Sequence, residues 1–142
     1  MIKHVPDIKP NILTFYVETE IDQEDVKWMV RLIETTYQRQ GNRIKIYVEF
    51  GPFGLLTPKR TLKHWKMLVS HAKSLTKHVS KILTTTDSIV LRSKLIVEFN
   101  MLPNVSLRAY KSKDKEKGLK WIEKNIQQYK STVYSRYSNQ SS

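Results

Sequence analysis

Apolar and polar positions change period several times along this chain, and each change predicts a different element. Across Arg43–Phe50 apolar residues occupy every second position, which is the period of a strand. Three further strands are predicted at Asn11–Val17, Val79–Thr85 and Val105–Tyr110. An additional edge strand near Ile2–Val5 or Ile8 would pair antiparallel to Asn11–Val17.

Helical spacing of apolar residues separates these strands. Asp22 is the expected N-cap of a first helix that Gly41 closes. Its apolar stripe consists of Val26, Met29, Val30, Ile33 and Tyr37. A second helix is predicted to begin with Thr57 as its N-cap and Pro58 in its first turn. Its apolar stripe consists of Leu62, Trp65, Leu68, Val69, Ala72 and Leu75.

Two more helices follow, at Ser88–Phe99 and Lys113–Gln128, and Asp87 is the expected cap of the first. The apolar residues that should keep Ser88–Phe99 out of water are Ile89, Leu91, Leu95, Ile96 and Phe99. Strands that alternate with helices are typical of an α/β fold with a largely parallel sheet and right-handed crossovers. We therefore predict one α/β domain over residues 1–128, followed by a polar, flexible tail over residues 129–142.

The composition changes this picture only by exclusion. The chain has 142 residues, of which 39% are hydrophobic, and this suits one folded domain rather than a disordered chain. It contains no cysteine, so disulfides, thiolate metal sites and cysteine nucleophiles are excluded. No apolar run has the length of a transmembrane helix or the character of a signal peptide. The expected location is the cytoplasm.

The charge is unevenly distributed along the chain. The net charge is +12, yet residues 1–50 hold seven basic and eight acidic residues of the totals of 25 and 13. The other 18 basic residues therefore face only five acidic ones. Such an excess favours an anionic partner, although a basic surface that only keeps the protein soluble is an equally simple interpretation.

The candidate binding surface is the loop after the strand Arg43–Phe50 together with the start of the second helix. α/β proteins often place ligands where a strand ends in a loop that opens onto a helix N-terminus. Here the loop offers apolar side chains and the helix start offers cations, so an anionic or lipid-like ligand or a protein partner would fit. The predicted site residues are Gly51, Phe53, Gly54, Leu55, Leu56, Thr57, Lys59, Arg60 and Lys63.

Motifs for catalysis and for metal binding are missing. The chain has no nucleophile elbow, no phosphate-cradling glycine-rich loop and no metalloprotease motif, so we predict no enzyme and no cofactor. His64, His71 and His78 lie seven residues apart and are expected to form a solvated or rim-forming stripe rather than a zinc site. Glu49, near the end of its strand, is expected to pair with a lysine from a neighbouring element.

Several segments resemble the SpoIIAA-like (STAS/SEC14-type) family of bacterial proteins. The similarity covers roughly Asn11 to Ile126 and includes a final helix with the pattern Gly118-Leu119-Lys120-Trp121-Ile122. The other segments that carry it read NILTFYVETEIDQEDVKWMVRLIE, RIKIYVEFGPF, LKHWKML and LRAYKSKDKEKGLKWIEKNI. The resemblance implies a sheet of four or five strands with helices mainly on one face.

The resemblance also implies a non-enzymatic regulatory role. Its best-understood relatives are anti-sigma antagonists that bind a kinase and are phosphorylated on a serine in an Asp-Ser-x-Gly loop. The corresponding loop here, Gly51–Pro58, has neither that aspartate nor that serine, and its one hydroxyl, on Thr57, is expected to cap the helix. The phosphoswitch therefore does not carry over, whereas the lipid-binding relatives would use the same loop.

The resulting hypothesis is a regulatory module that binds a protein partner or an anionic, lipid-like small molecule at residues 51–63. The alternative is a nucleic-acid-associated protein that uses the basic face of the helix over residues 59–77. That alternative is less favoured, because the apolar spacing places Trp65 in the core rather than among the lysines. A homodimer is compatible with either hypothesis.

Overall fold

A computed structural model of the chain describes residues 2–5, 12–18, 21–51, 63, 66–67 and 70–124. Helices α1, α2, α3 and α4 span Gln23–Gln40, Ala72–His78, Ile89–Asn100 and Lys115–Glu123. Residues 63, 66 and 67 are also helical, and a 3₁₀ turn at Ser112–Asp114 precedes α4. The five strands, β1 to β5, are Ile2–His4, Ile12–Val17, Ile44–Phe50, Val79–Thr85 and Ser106–Tyr110.

The strands form one sheet in the order β1-β2-β3-β4-β5. β1 pairs antiparallel to β2, and the other three pairings are parallel. The predicted α/β class, the four main strands and the antiparallel N-terminal edge strand are therefore confirmed. Because the strand order follows the chain order, β3 lies in the centre of the sheet, with two strands on each side.

The first face of the sheet carries a large apolar core and three of the described helices. Leu13, Phe15 and Val17 of β2 lie on this face, together with alternate residues of the other strands. The helices contribute Val26, Met29, Val30 and Ile33 from α1, Leu75 from α2, and Leu91, Leu95 and Phe99 from α3. This face therefore supplies most of the burial that stabilises the domain.

The second face is covered by α4, the only described helix that packs there. Its apolar core is small and consists of Ile12, Tyr47, Leu83, Leu119 and Ile122. Gly118 lies so close to the sheet that a Cβ atom on it would be 2.6 Å from Leu83 Cδ1 and 3.1 Å from Tyr110 Cδ2. The glycine thus allows α4 to approach β4 and β5 closely.

The caps of α1 agree with the sequence. Asp22 accepts a hydrogen bond from the Asp25 backbone N–H at 2.8 Å, and the Asp25 carboxylate accepts one from the Asp22 N–H at 3.0 Å. The hydrogen bond from the Asp25 backbone is also the main reason why the pKa of Asp22 is lowered. Gly41 closes the helix with a φ of 73°, in the left-handed region that glycine tolerates.

The predicted cap of α3 is wrong by one residue. Ser88 caps the helix by accepting a hydrogen bond from the Leu91 backbone N–H at 3.2 Å. The carboxylate of Asp87 instead accepts a hydrogen bond from the Ser112 N–H at 3.0 Å, so it serves the loop after β5. Ile89 was expected to be shielded, but it is 69% exposed, whereas Leu91 in the same turn is buried.

The second predicted helix is interrupted rather than continuous. Ser70 and His71 form a turn, and the Ser70 hydroxyl donates a hydrogen bond to the Met67 carbonyl, which competes with the helical pattern. Thr57, Pro58 and most of the expected apolar stripe lie outside the described residues, although Leu75 is buried as predicted. The last helix begins with a 3₁₀ turn, and the predicted domain boundary at residue 128 lies outside the described residues.

Candidate functional site

Gly51 lies at the carboxyl end of the central strand, where the sequence places a binding loop. Its backbone N–H donates a hydrogen bond to the Val17 carbonyl at 2.9 Å. A Cβ atom on Gly51 would be 2.4 Å from the Tyr16 hydroxyl oxygen, so a larger residue would push these two groups apart. The segment that follows β3 is therefore anchored to β2 at its first residue.

Two of the nine predicted site residues lie among the described residues. They are Gly51, which is buried, and Lys63, which is exposed. Seven lie outside the described residues, namely Phe53, Gly54, Leu55, Leu56, Thr57, Lys59 and Arg60. Their grouping into one binding surface remains a prediction.

A cluster of polar side chains lies beside Gly51 on the second face of the sheet. The Lys115 ammonium is 3.2 Å from Glu49 Oε1, which confirms the lysine partner predicted for Glu49. The Tyr47 hydroxyl donates a hydrogen bond to the same carboxylate oxygen at 3.3 Å. It also lies 2.9 Å from the Thr85 hydroxyl. Because a neutral tyrosine has one proton to donate, Thr85 is the donor in that second bond.

Burial governs the chemistry of this polar cluster. The Tyr47 side chain is fully buried, and burial raises its pKa well above the usual range of tyrosine. The Lys115 ammonium also lies 5.7 Å from the centre of the Tyr47 ring. Tyr47 therefore stays neutral and orients the Glu49 carboxylate, while Lys115 balances the charge of that carboxylate at the start of α4.

The loops after β4 and β5 are tied to each other at the same edge of the sheet. The Thr86 N–H donates a hydrogen bond to the Tyr110 carbonyl at 3.0 Å. The Arg92 guanidinium donates one to the Thr86 carbonyl at 2.6 Å. These bonds and the Asp87–Ser112 bond make a fixed support next to the point where the chain leaves β3.

The lysine-rich helical segment after residue 62 is less uniformly basic in space than in sequence. Lys63, Lys66 and Lys77 are exposed, as expected. However, α3 brings Glu98 to Lys66, with 3.5 Å between the ammonium and a carboxylate oxygen. An acidic residue from another helix thus offsets part of the predicted basic face.

Of the predicted histidine stripe, His78 is half-buried at a contact between two helices. Its ring packs on Tyr37 with 4.3 Å between ring centres, and its Nδ1 is 3.1 Å from the Ser74 hydroxyl. That hydroxyl donates a hydrogen bond to Glu34 at 3.0 Å, so His78 belongs to the contact between α1 and α2. His71 is exposed, and His64 lies outside the described residues. The part of the chain that the structure describes contains no cluster of metal-ligating side chains.

The sequence did not reveal a second charged cluster, at the amino ends of the strands on the α4 face. Lys45 and Lys81 are paired in register on β3 and β4. The Lys45 ammonium donates a hydrogen bond to the Glu123 carbonyl at 3.1 Å, and that of Lys81 donates to the Trp121 carbonyl at 3.2 Å. Lys81 donates a second bond to the Lys124 carbonyl. Both lysines therefore bind carbonyl groups at the carboxyl end of α4.

Trp121 joins this cluster to β5. The Lys81 Nζ and the Arg108 Cζ each lie 5.0 Å from the centre of its ring. Burial lowers the pKa of Lys45 and of Lys81, and the charges of Lys45, Arg108 and Lys124 lower the pKa of Lys81 further. A signal was present in the sequence, because parallel strands covered on both faces are usually apolar throughout, and cations inside three of them depart from that rule.

One of three comparisons with known proteins returns a match. The family model described as SpoIIAA-like matches residues 12–123, which is most of the chain. Comparison with curated proteins and comparison with solved structures return no match. None of the described helices is long and apolar enough to cross a membrane. The match contains all of the described elements except β1, so the chain belongs to the SpoIIAA-like family.

Proposed function

We propose that this chain is a non-enzymatic regulatory module that binds a protein partner or an anionic, lipid-like ligand at residues 51–63. Membership of the SpoIIAA-like family suggests a STAS-type regulatory module, and such domains are generally non-enzymatic and commonly bind proteins. The anchoring of Gly51 at the end of the central strand is the observation that carries the proposal. It supports a loop that leaves the sheet at a fixed point, as binding loops on rigid scaffolds do.

The surroundings of Gly51 support a binding role rather than catalysis. Glu49 is the carboxylate closest to the loop in sequence, and it is already engaged by Lys115 and Tyr47. A general base has to be available to its substrate, whereas this carboxylate is held in an ion pair and a hydrogen bond. We therefore assign the polar cluster to the support of the loop.

The charges of the helical segment after the loop favour the same proposal over nucleic-acid binding. Affinity for nucleic acid rests on many uncompensated cations along one surface. The Lys66–Glu98 pair interrupts such a surface, whereas a small anion needs only a few cations, such as those predicted at the helix start. The basic face over residues 59–77 stays the alternative.

Site-specific photocrosslinking in living cells tests the proposal. The variant Leu55→p-benzoylphenylalanine places the crosslinker in the middle of the predicted loop. The matched control places it at Lys113, an exposed residue of the 3₁₀ turn. After irradiation, we expect a covalent adduct at position 55 and none at position 113. The mass of the adduct tells a lipid-sized ligand from a protein.

Two results would contradict the proposal. The absence of an adduct at position 55, with the same crosslinker incorporated at equal levels in both variants, would remove the loop as the binding surface. An adduct at position 55 whose mass decreases after nuclease digestion would instead favour the nucleic-acid alternative.

A further inference from the structure

The cations of the α4 face form a group whose mutual repulsion lowers the stability of the fold. Lys45 and Lys81 are directly opposite each other on neighbouring strands, and like charges in that position are destabilising. Arg108 follows on β5, one step further along the sheet, where it is paired with Leu83. Three adjacent strands thus each present one cation to the same face, with Arg108 two residues further along its strand than the two lysines.

The described residues supply little negative charge to balance this group. The carboxyl end of a helix is equivalent to about half a negative charge, and Lys45 and Lys81 bind the carbonyl groups there. Glu123 is the one acidic side chain whose charge acts on Lys45. Lys124 adds a further positive charge beside Lys81. A positive excess therefore remains at this end of the face.

The arrangement of the cations suits an oxyanion. Lys81 and Arg108 both contact the indole ring of Trp121, so the distance between Lys81 Nζ and Arg108 Cζ cannot exceed twice 5.0 Å. A guanidinium offers a planar fork of N–H donors that fits phosphate oxygens, and an ammonium offers a compact point charge. Arg108 is exposed, so its fork is accessible from solvent.

We propose that Lys45, Lys81 and Arg108, beside Trp121, form a binding site for a phosphate group on a small ligand. Arg108 holds two phosphate oxygens, Lys81 and Lys45 neutralise the remaining charge, and Trp121 forms the wall that keeps Lys81 and Arg108 in place. The site lies at the amino ends of the strands, whereas Gly51 lies at the carboxyl end of β3. It is therefore separate from the loop surface proposed above.

The lysines have a clear structural role, whereas the interactions of Arg108, a contact with the Trp121 ring and one long hydrogen bond, are weaker. The lysines bind carbonyl groups of α4, so they hold the end of that helix on the sheet. The hydrogen bond recorded for Arg108 goes to the Tyr110 hydroxyl at 3.4 Å, which is long for such a bond. Substitution of Arg108 therefore separates ligand binding from helix anchoring.

Titration with sodium pyrophosphate at constant ionic strength tests the site by NMR. The readout is the indole N–H resonance of Trp121, assigned from its loss in Trp121→Phe. The indole of Trp28, which packs on Phe15 in the other core, is the internal reference. We expect a saturable shift of the Trp121 resonance alone, and affinity at least fivefold weaker in Arg108→Gln. Arg108→Lys should fall between the two, because it keeps the charge and loses the fork.

Arg39→Gln is the matched control, because it removes an exposed arginine from the end of α1. It should change the affinity less than twofold. Equal weakening in Arg39→Gln and Arg108→Gln would show that only the net charge matters, and it would overturn the proposal. A shift without saturation, or no shift, would also overturn it.

The same titration with inorganic phosphate and with glycerol 1-phosphate distinguishes two sources of the phosphate group. Tighter binding of glycerol 1-phosphate would support the site with a lipid-type headgroup as its ligand. Tighter binding of inorganic phosphate would support it with a free phosphate. No saturable binding of any of the three anions would reject the site.

Discussion

The two faces of the sheet are formed by the same strands but differ in composition, because one is apolar and the other is partly charged. On the first face, α1, α2 and α3 enclose an apolar core that takes in residues from all five strands. On the second face, Leu119 and Ile122 of α4 pack on three buried residues of the strands, and charged or polar side chains occupy positions on either side of this small core. The first face has the composition expected of a parallel sheet, and the second departs from it.

The difference indicates which face supplies most of the stability of the domain. Buried apolar area is the main source of stability, and most of it lies on the first face. On the second face, Glu49 and Lys115 form a pair at one end of α4, while Lys45, Lys81 and Arg108 gather at the other. Buried charges are weak contributors to stability, and the proposal above assigns those at the amino ends of the strands to binding.

The largest effect should come from truncating a buried isoleucine on the first face. Ile33 of α1 and Ile122 of α4 are both fully buried, so Ile33→Ala and Ile122→Ala form a matched pair. We expect Ile33→Ala to lower the free energy of unfolding by about 4 kcal/mol and Ile122→Ala by about 2 kcal/mol. Denaturant unfolding followed by circular dichroism measures both. An equal or larger loss in Ile122→Ala would contradict the contrast between the faces.

The next effect concerns the close approach of α4 to the sheet. Gly118→Ala places a Cβ atom 2.6 Å from Leu83 Cδ1, and Leu83 is fully buried and cannot move freely. We expect a net loss of about 1 kcal/mol in unfolding free energy, since the overpacking outweighs the helix propensity that alanine gains. Lys117→Ala, at an exposed position of the same helix, should change stability little. A gain in stability in Gly118→Ala would show that α4 is loosely packed.

The raised pKa of Tyr47 predicts how the free energy of unfolding depends on pH. Burial raises the pKa of the folded form above the ordinary value of 10.0, so only the unfolded chain loses this proton near pH 10. The contribution of Tyr47 is therefore full below pH 10 and is lost at higher pH, by about 1.4 kcal/mol for each pH unit. Tyr47→Phe should lower stability by about 1 kcal/mol at pH 8, and this difference from the wild type should have disappeared by pH 11. A constant gap between pH 8 and pH 11 would show that the Tyr47 hydroxyl ionises equally in both states.

The smallest effect should come from the ion pair between Glu49 and Lys115. Both side chains are about one-third exposed, so water weakens their interaction. A double-mutant cycle with Glu49→Gln and Lys115→Met should give a coupling of about 0.5 kcal/mol. The more exposed pair Lys3–Glu18 at the sheet edge is the control, and its coupling should be smaller. A larger coupling in the control pair would mean that burial on the α4 face does not strengthen the interaction between Glu49 and Lys115.

Local patterns predicted the fold well because they reflect local physics. The period of two in β3 and the caps at Asp22 and Gly41 depend on neighbouring residues, and the structure has each as predicted. The cap of α3 is Ser88 and not the predicted Asp87, because the Asp87 carboxylate is bound by Ser112, which is distant in sequence. The ion pair between Lys66 and Glu98 was not predicted either, because it joins two helices that are distant in sequence.

The candidate sites show the same division between local and distant information. The ion pair of Glu49 was foreseeable, because a carboxylate near the end of a central strand needs a partner. The group formed by Lys45, Lys81 and Arg108 was not, since the register of three strands brings these residues together. Their common signal, a cation inside a parallel strand, points to an unusual face without naming the neighbours.

The most direct test of a binding role for the second face is the stabilisation that pyrophosphate confers. Free energies of unfolding are measured with and without pyrophosphate at the same ionic strength, for the wild type and for Arg108→Gln. A ligand that binds only the folded chain stabilises it by about 2.7 kcal/mol at one hundred times its Kd. We predict a gain of this order in the wild type and a much smaller gain in Arg108→Gln at the same concentration. Equal gains in both proteins, or no gain in the wild type, would contradict the assignment of these cations to binding.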